Sequence, residues 1–188
     1  MPLWPDAKTS RELNRRDFLL LGSGAVAGLL CPKVMASPHS QQERTLAFKN
    51  THTGESLQTV YWAGGAYIDS GLQEINTVLR DHRADEAYPM DRGLLDLLYA
   101  LQAEVDCHNA YHVISGYRSP MTNARLRNKS SGVARRSYHM QGKAIDIRLP
   151  GCALTDLHRA ALGLKAGGVG IYAASDFIHV DVGPVRRW

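Results

Sequence analysis

The chain has 188 residues, of which 44% are hydrophobic and 21% charged, the composition of an ordinary soluble globular protein with one or two domains. Its 17 glycines and 8 prolines are too few for a disordered or collagen-like chain, and its 3 cysteines are too few for a disulfide-rich scaffold. The net charge of +4, without a run of Lys and Arg, argues against a nucleic-acid partner.

Residues 1–36 have the pattern of an export signal peptide. Arg15 and Arg16 precede an uncharged apolar stretch, residues 18–30, which is too short to cross a bilayer but has the length of a signal-peptide apolar region. Small residues before position 37 predict cleavage after Ala36. The arginine pair resembles a twin-arginine signal, although Asn14 stands where Ser or Thr is usual, so general secretion stays open. The sequence therefore predicts a periplasmic protein without a stable membrane anchor after cleavage.

Two cysteines, Cys107 and Cys152, remain after that cleavage. An exported protein meets an oxidising compartment, so the two could form a disulfide, but two independent buried thiols fit the sequence equally well. Residues 37–43 are polar and predict a flexible lead-in, and residues 44–188 are expected to form one domain.

The first half of this domain predicts two strands followed by two amphipathic helices. Residues 45–48 and 56–62 have strand character on either side of a turn. Apolar residues then follow a helical period over 69–82 and again over 91–107, where Asp91 is the predicted N-cap.

The second half alternates short strands with helices. A helix is expected to begin at Ser119 and Pro120, since Ser caps a helix and Pro favours its first position, and a polar loop is expected over 128–138. The remaining predicted strands are 111–115, 143–149, 169–172 and 177–182, and the remaining helix is 155–165. The irregular order of elements predicts an α+β fold, a small antiparallel sheet with helices packed on one side.

Two strands of this half bring polar side chains to one face. Side chains alternate along a strand, so Asp146 points away from the face that carries its isoleucine neighbours, and His179 points away from Ile178 and Val180. His139 comes just before the first of these strands, where Gly142 lets the backbone turn.

Two histidines and one carboxylate form a known zinc-binding set. Three protein ligands leave a fourth position for water, which is the arrangement of catalytic rather than structural zinc. By spacing alone, however, three polar residues on solvated strand faces remain the simpler interpretation.

The motif Ser-x-His-x-x-Gly-x-Ala-x-Asp, residues 137–146, resembles the zinc motif of the LAS-type metallopeptidases, as does the upstream segment 115–119. That group includes D-Ala-D-Ala dipeptidases, zinc D,D-carboxypeptidases and the hedgehog signalling domain. Residues 51–55, 79–83 and 179–188 are more narrowly similar to the MepK-like (YcbK-like) murein endopeptidases.

The resemblance implies a hedgehog or D-Ala-D-Ala-peptidase-like fold and one Zn²⁺ per chain, held by His139, Asp146 and His179. It implies an enzyme that hydrolyses the peptide cross-links of peptidoglycan with a zinc-activated water. Arg118 corresponds to the family arginine that steadies the oxyanion or a substrate carboxylate, a task suited to the fixed donors of a guanidinium.

The resemblance leaves the general base and the reaction class open. Asp176 lies three residues before His179, where zinc D,D-carboxypeptidases have their base, and is the favoured candidate. Asp181 is the rival, although it could instead fix the tautomer of an imidazole. The alternatives to an endopeptidase are a D,D- or L,D-carboxypeptidase that trims stem peptides and a zinc-containing wall-binding module without turnover.

Overall fold

The computed structural model describes residues 43–130 and 132–188. The predicted signal peptide, 1–36, and residues 37–42 of the lead-in lie outside the described residues, so cleavage and export stay predictions. Within the described residues, the helices lack the length and apolar character needed to cross a membrane.

The described residues form one sheet of eight strands together with four α-helices. The strands are β1 (Arg44–Asn50), β2 (Ser56–Ala63), β3 (Ala66–Tyr67), β4 (Tyr111–Ser115), β5 (Ala144–Arg148), β6 (Gly168–Tyr172), β7 (Phe177–Asp181) and β8 (Arg186–Arg187). The helices are α1 (Asp69–Val78), α2 (Arg92–Glu104), α3 (Pro120–Lys129) and α4 (Leu154–Leu164). The strand order is β3-β2-β1-β4-β5-β7-β6-β8, with parallel pairing in β1–β4 and β6–β8 and antiparallel pairing elsewhere.

Two helices begin where their capping residues predict. The Asp91 carboxylate accepts from the Gly93 N–H at 2.8 Å at the start of α2, and the Ser119 hydroxyl accepts from the Thr122 N–H at 3.2 Å at the start of α3. Helix α1 is shorter than the predicted 69–82, since its C-cap is Leu79. The apolar period continues past that point because Leu79 is buried in the core outside the helix.

The core lies between the sheet and the helices. Ile145 and Ile147 of β5 and Ile178 and Val180 of β7 are fully buried, and they join the leucines of α2 in one hydrophobic cluster. Helix α2 packs against β1 and α4, while α4 packs against β6 and β7. The predicted α+β fold is confirmed, but the sheet is larger than expected because the two-residue strands β3 and β8 extend it.

The face of β5 and β7 opposite this core carries the polar residues. Antiparallel pairing sets Asp146 directly across from His179 and Ala144 across from Asp181. Residues paired in this way have their side chains on the same face and in contact range. The alternation argued from the sequence thus holds, and the register adds that the two predicted ligands are cross-strand neighbours.

The two cysteines of the domain are free thiols in the structure. Cys107 Sγ lies 3.6 Å from the Pro150 carbonyl oxygen, and Cys152 Sγ lies 3.6 Å from that of Ala153. Of the two interpretations left open by the sequence, the structure has two separate thiols, and both are half-buried.

Candidate metal centre

His139 is held in a short 3-10 turn, Tyr138–Gln141, that precedes β5. The Ser137 hydroxyl accepts from the His139 N–H at 3.3 Å and so caps this turn. Gly142 ends it with φ at +65°, and a Cβ at this position would overlap the Pro89 carbonyl oxygen. The motif glycine is therefore required both for its backbone conformation and for the close approach of the 89–91 segment.

The three predicted metal ligands converge on one point. His139 Nε2 lies 3.2 Å from His179 Nδ1 and 3.3 Å from Asp146 Oδ1, and His179 Nδ1 lies 2.9 Å from the same carboxylate oxygen. All three residues are buried. His179 is 33 positions from Asp146 and 40 from His139 in the chain, so only the fold brings it to the other two.

Hydrogen bonds on the far side of each ring fix its tautomer. His139 Nδ1 lies 2.7 Å from the Gly116 carbonyl oxygen, which can only accept, so Nδ1 carries the proton and Nε2 presents a lone pair. His179 Nε2 lies 3.0 Å from Asp181 Oδ2, another acceptor, so Nε2 can keep the ring proton while Nδ1 gives its lone pair to a metal. Such outer partners are the usual means by which proteins orient metal-binding imidazoles.

Charge within the site acts on each ligand differently. Burial opposes ionisation of Asp146, but His139, His179 and Arg118 outweigh it and hold the pKa of this carboxyl well below its usual range. Burial lowers the pKa of His139. Burial also acts to lower the pKa of His179, yet Asp146 and Asp181 overcome it and raise that pKa. The site is thus built to keep a carboxylate ionised beside two imidazoles.

The donor set fits a small divalent cation. Two imidazole lone pairs and a carboxylate oxygen would repel one another at these distances unless positive charge, from ring protons or from a metal cation, lay between them. Ligands bonded to tetrahedral zinc at about 2.0–2.1 Å lie about 3.3 Å apart, close to the 2.9, 3.2 and 3.3 Å separations observed. Among the described residues, these three place their ligand atoms within 4.8 Å of one another, close enough to share one metal ion.

Arg118 lies against this group from the β4 side. Its guanidinium donates to Asp146 Oδ2 and, through Nε, to the Ser115 hydroxyl at 2.7 Å. Asp146 can therefore offer Oδ1 to a metal while Oδ2 stays bound to the arginine. Three of the five guanidinium N–H groups of Arg118 have no part in these two bonds, and the side chain lines the cleft above the site.

A cleft of about 640 Å³ opens over the ligands. One wall is the segment 132–139, and the other contains aromatic residues from the β6–β7 hairpin and the end of the chain. Tyr172 stacks on Phe177 with ring centroids 4.7 Å apart, and Trp188 Nε1 donates to the Tyr172 hydroxyl at 2.9 Å. Gly132, Ala134, Arg136 and Trp188 along the rim are exposed, so the cleft can admit an extended substrate.

The two predicted base candidates occupy different surroundings. Asp181 is fully buried, and its carboxylate accepts from His179, Arg186, Gly168 and Gly183. Burial opposes its ionisation, but these partners hold its pKa well below the usual range. A carboxylate so fully bonded has no lone pair left for a substrate proton, so its position is that of a residue orienting His179.

The structure does not bring Asp176 to the ligands. This residue closes the β6–β7 hairpin with φ at +52°, its side chain is 65% exposed, and it lies 3.3 Å from Arg148. It borders a separate, smaller cavity with Arg148. It lies three positions before His179, about 10 Å along the chain at 3.3 Å per residue. The resemblance made Asp176 the favoured base, whereas the turn directs its carboxylate towards Arg148.

Sequence reasoning did not single out the Gly116 carbonyl or the side chain of Arg186. A backbone carbonyl leaves no mark in a sequence. Arg186 belongs to a strand of only two residues, too short for an alternating pattern. The glycines at 168 and 170, alternating within β6, were an available signal, because glycine in a strand often marks the close approach of another group.

Comparison with known proteins matches the whole described domain to one family. Residues 38–188 match the family described as peptidoglycan L,D-endopeptidase MepK. The chain is 42% identical over 178 residues to the peptidoglycan L,D-endopeptidase MepK of Escherichia coli K12, covering 94% of this chain and 98% of that protein. It is 40% identical over 179 residues to the probable peptidoglycan L,D-endopeptidase MepK of Haemophilus influenzae, covering 94% and 96%.

No solved structure matches the chain. The sequence relationship is nevertheless decisive, since the matched region includes the three converging ligands, Arg118 and the glycine-capped turn that carries His139. This chain belongs to the peptidoglycan L,D-endopeptidase MepK family.

Proposed function

We propose that this chain is a zinc-dependent murein endopeptidase that hydrolyses peptide cross-links of peptidoglycan in the periplasm. The observation that carries the proposal is the convergence of His139 Nε2, Asp146 Oδ1 and His179 Nδ1 beneath an open cleft. Membership in a family described as peptidoglycan L,D-endopeptidase, with relatives of that name, supports the substrate. The basic and apolar pattern of residues 1–36 supports export to where that substrate lies.

In this proposal the protein contributes a pre-set ligand group. His139, Asp146 and His179 would hold one zinc ion, which when bound supplies an activated water and polarises a carbonyl. Gly116 and Asp181 keep both rings in the tautomer that presents a lone pair to the metal. Because these partners are already in place, little reorganisation is needed when the metal binds.

Arg118 would stabilise charge that develops on the scissile carbonyl. Asp146 and Ser115 fix its guanidinium at the floor of the cleft, and its remaining N–H groups are free to face a substrate oxygen. Fixed donors aimed at developing charge typically contribute a factor of about 10²–10³ to kcat. The shared contact with Asp146 also ties the position of this arginine to that of a metal ligand.

One observation favours a second candidate, a zinc-containing wall-binding module without turnover. Among the described residues that line the cleft, Asp146 is the one carboxylate, and its two oxygens are assigned to the metal and Arg118. Neither Asp176 nor Asp181 therefore offers a free base at the ligands in this conformation. Turnover of peptidoglycan distinguishes the two candidates directly, because only the endopeptidase is expected to release products.

The test is digestion of purified sacculi with the purified chain, read by chromatography and mass spectrometry. The endopeptidase is expected to remove cross-linked dimers, to stop when a chelator is added, and to recover when zinc is restored. His139→Ala is expected to fold yet leave the dimers intact. The L,D preference is measured by comparing cleavage of two substrates. One is a dimer joined between two diaminopimelate residues, and the other is a dimer joined through D-alanine.

Three results would contradict the proposal. Unchanged dimers with shortened monomers would identify a carboxypeptidase. Retention on sacculi without any new product would identify the binding module. Cleavage that is unaffected by the chelator and by His139→Ala would exclude the metal centre from the reaction.

A further inference from the structure

Arg186 of the last strand, β8, and Trp188, which follows that strand, extend across β6 towards the metal centre. Parallel pairing places Gly168 beside Arg186 and Val169 beside Arg187. The ladder continues because the Trp188 N–H donates to the Val169 carbonyl at 3.3 Å. Arg186 and Trp188 therefore lie on one face of the sheet, while Arg187, between them, points to the other.

The face that receives Arg186 and Trp188 is the face that carries the metal ligands. Gly170 of β6 pairs with His179 of β7, and the Gly168 N–H donates to Asp181 Oδ1 at 3.1 Å. The two glycines of β6 thus lie between the side chains of β8 and the polar residues of β7.

Both glycines leave space that other side chains fill. A Cβ at Gly168 would lie 2.6 Å from Asp181 Oδ2 and would overlap the guanidinium of Arg186. A Cβ at Gly170 would lie 2.5 Å from Trp188 Nε1. Strand β6 therefore carries no side chain at these two positions, which allows Arg186 and Trp188 to reach Asp181 and His179.

The guanidinium of Arg186 is hydrogen-bonded to Asp181 through both of its terminal nitrogens. Nη2 donates to Oδ2 at 2.6 Å and Nη1 donates to Oδ1 at 3.0 Å, a bidentate pairing of the strong, orienting kind. The guanidinium carbon also lies 5.3 Å from the ring centre of Tyr138 and 5.1 Å from that of Trp188. Two aromatic rings and a fork of hydrogen bonds together hold this arginine in one position.

We propose that Arg186 is a positioning residue of the metal centre: it locks Asp181, and through Asp181 it holds the His179 ring with Nδ1 towards the metal. Trp188 supports the same arrangement, since its ring centre lies 5.3 Å from that of His179. The inference rests on the metal site of the proposed function but not on the reaction. Arg186 itself touches neither the ligand atoms nor, in this role, the substrate.

The test compares Arg186→Met with Arg187→Met in the purified chain. The two variants remove the same charge from neighbouring residues of one strand, but only the first faces Asp181. Zinc affinity is measured by competition with a chromophoric chelator, and thermal unfolding is followed in parallel. Loss of an outer partner of a metal ligand typically weakens metal binding by about 10–100-fold. Arg186 acts one step further out, through Asp181, so we expect the lower end of that range, about tenfold, for Arg186→Met and a change below about twofold for Arg187→Met.

A second readout reports the ring directly. In the zinc-loaded protein, 15N chemical shifts of the His179 ring identify the nitrogen that holds the metal. Nδ1 is expected in the unmodified chain and in Arg187→Met, and more than one ring state is expected in Arg186→Met. If Arg186→Met does not fold, Arg186→Lys takes its place, because lysine keeps the charge but lacks the fork, and its zinc affinity is expected to fall at least threefold.

Equal zinc affinities for Arg186→Met and Arg187→Met, with the same ring nitrogen bound in both, would overturn the inference even if cross-links are cleaved. The converse result, the expected affinity ratio in a chain that cleaves nothing, would overturn the proposed function and support the inference. Failure of the unmodified chain to bind zinc would overturn both.

Discussion

Replacing Gly142 by alanine is expected to destabilise the fold and weaken the metal centre together. At φ of +65° an alanine costs about 1–2 kcal/mol, of which the stiffer unfolded chain returns about 0.4–1 kcal/mol. The added Cβ would also overlap the Pro89 carbonyl oxygen and lie 3.2 Å from Met90 Cα. Backbone cannot move aside as a flexible side chain can, so this overlap adds about 1–3 kcal/mol, for a total of about 2–4 kcal/mol.

Gly64→Ala is the matched control. Gly64 has nearly the same backbone conformation, with φ at +58°, but nothing lies within 4 Å of an added Cβ. It should therefore lose only the conformational cost, about 1 kcal/mol or less. In a domain of this size, 1 kcal/mol shifts Tm by about 2–4 °C, so we expect a loss of at most about 2–4 °C for Gly64→Ala and of about 4–16 °C for Gly142→Ala.

Zinc affinity gives the second comparison between these two variants. Gly142 ends the turn that carries His139, and its carbonyl oxygen accepts from the Asp91 N–H at 2.9 Å, so displacement of this residue moves both the ligand and the start of α2. We expect zinc binding to weaken at least tenfold in Gly142→Ala and to stay unchanged in Gly64→Ala. Equal losses of stability in the two variants would refute the steric argument, and an unchanged zinc affinity in Gly142→Ala would refute the link to His139.

Three further substitutions test the supports of the site. Burial opposes the ionisation of Asp81, but the nearby Thr122 hydroxyl and the backbone N–H groups of Ser119 and Arg83 lower its pKa below the ordinary 3.8. The stabilisation from this carboxylate is therefore present above that pH and is lost on further acidification. Asp81→Asn should lower the free energy of unfolding in urea by about 2–3 kcal/mol at pH 7. A difference in stability between the two proteins that does not narrow below pH 4 would contradict the lowered pKa of Asp81. Arg118→Lys, assayed at saturating zinc, should lower kcat about 100-fold, since lysine lacks the guanidinium fork; an unchanged kcat would remove this arginine from the reaction. Asp176→Asn should change kcat less than about twofold because the carboxylate faces Arg148, whereas a loss of 100-fold or more would establish it as the base.

The ligand set was accessible from the sequence for a specific physical reason. Asp146 and His179 each lie within a short strand whose alternate residues are isoleucine and valine, so the face of each polar side chain follows from the period of two. Pairing of β5 with β7 then needs only the correct register to make them neighbours. His139 required the resemblance as well, because a residue in a 3-10 turn has no periodicity to orient it.

Asp181 shows where that reasoning stops. The same alternation places it beside His179 and on the same face, which fits a base and an orienting partner equally well. The roles differ only in how many donors the carboxylate already has, and those donors come from Gly168, Gly183 and Arg186, in segments whose positions depend on β6 and β8 pairing. A parallel pair of two residues leaves no pattern in the sequence.

The glycines of β6 predict the neighbouring side chains that the two-residue strand β8 gives no pattern to predict. Gly168 and Gly170 are separated by one residue, so both fall on the same face of the strand, and glycine weakens a strand interior unless something else needs the space. Two such positions on one face predict that side chains from a neighbouring segment cross the strand there. The structure has Arg186 and Trp188 in that space, directed at the one histidine of the metal centre that needs a carboxylate to fix its tautomer. The spacing of two glycines is therefore part of the description of this metal centre, although neither residue can bind a metal through a side chain.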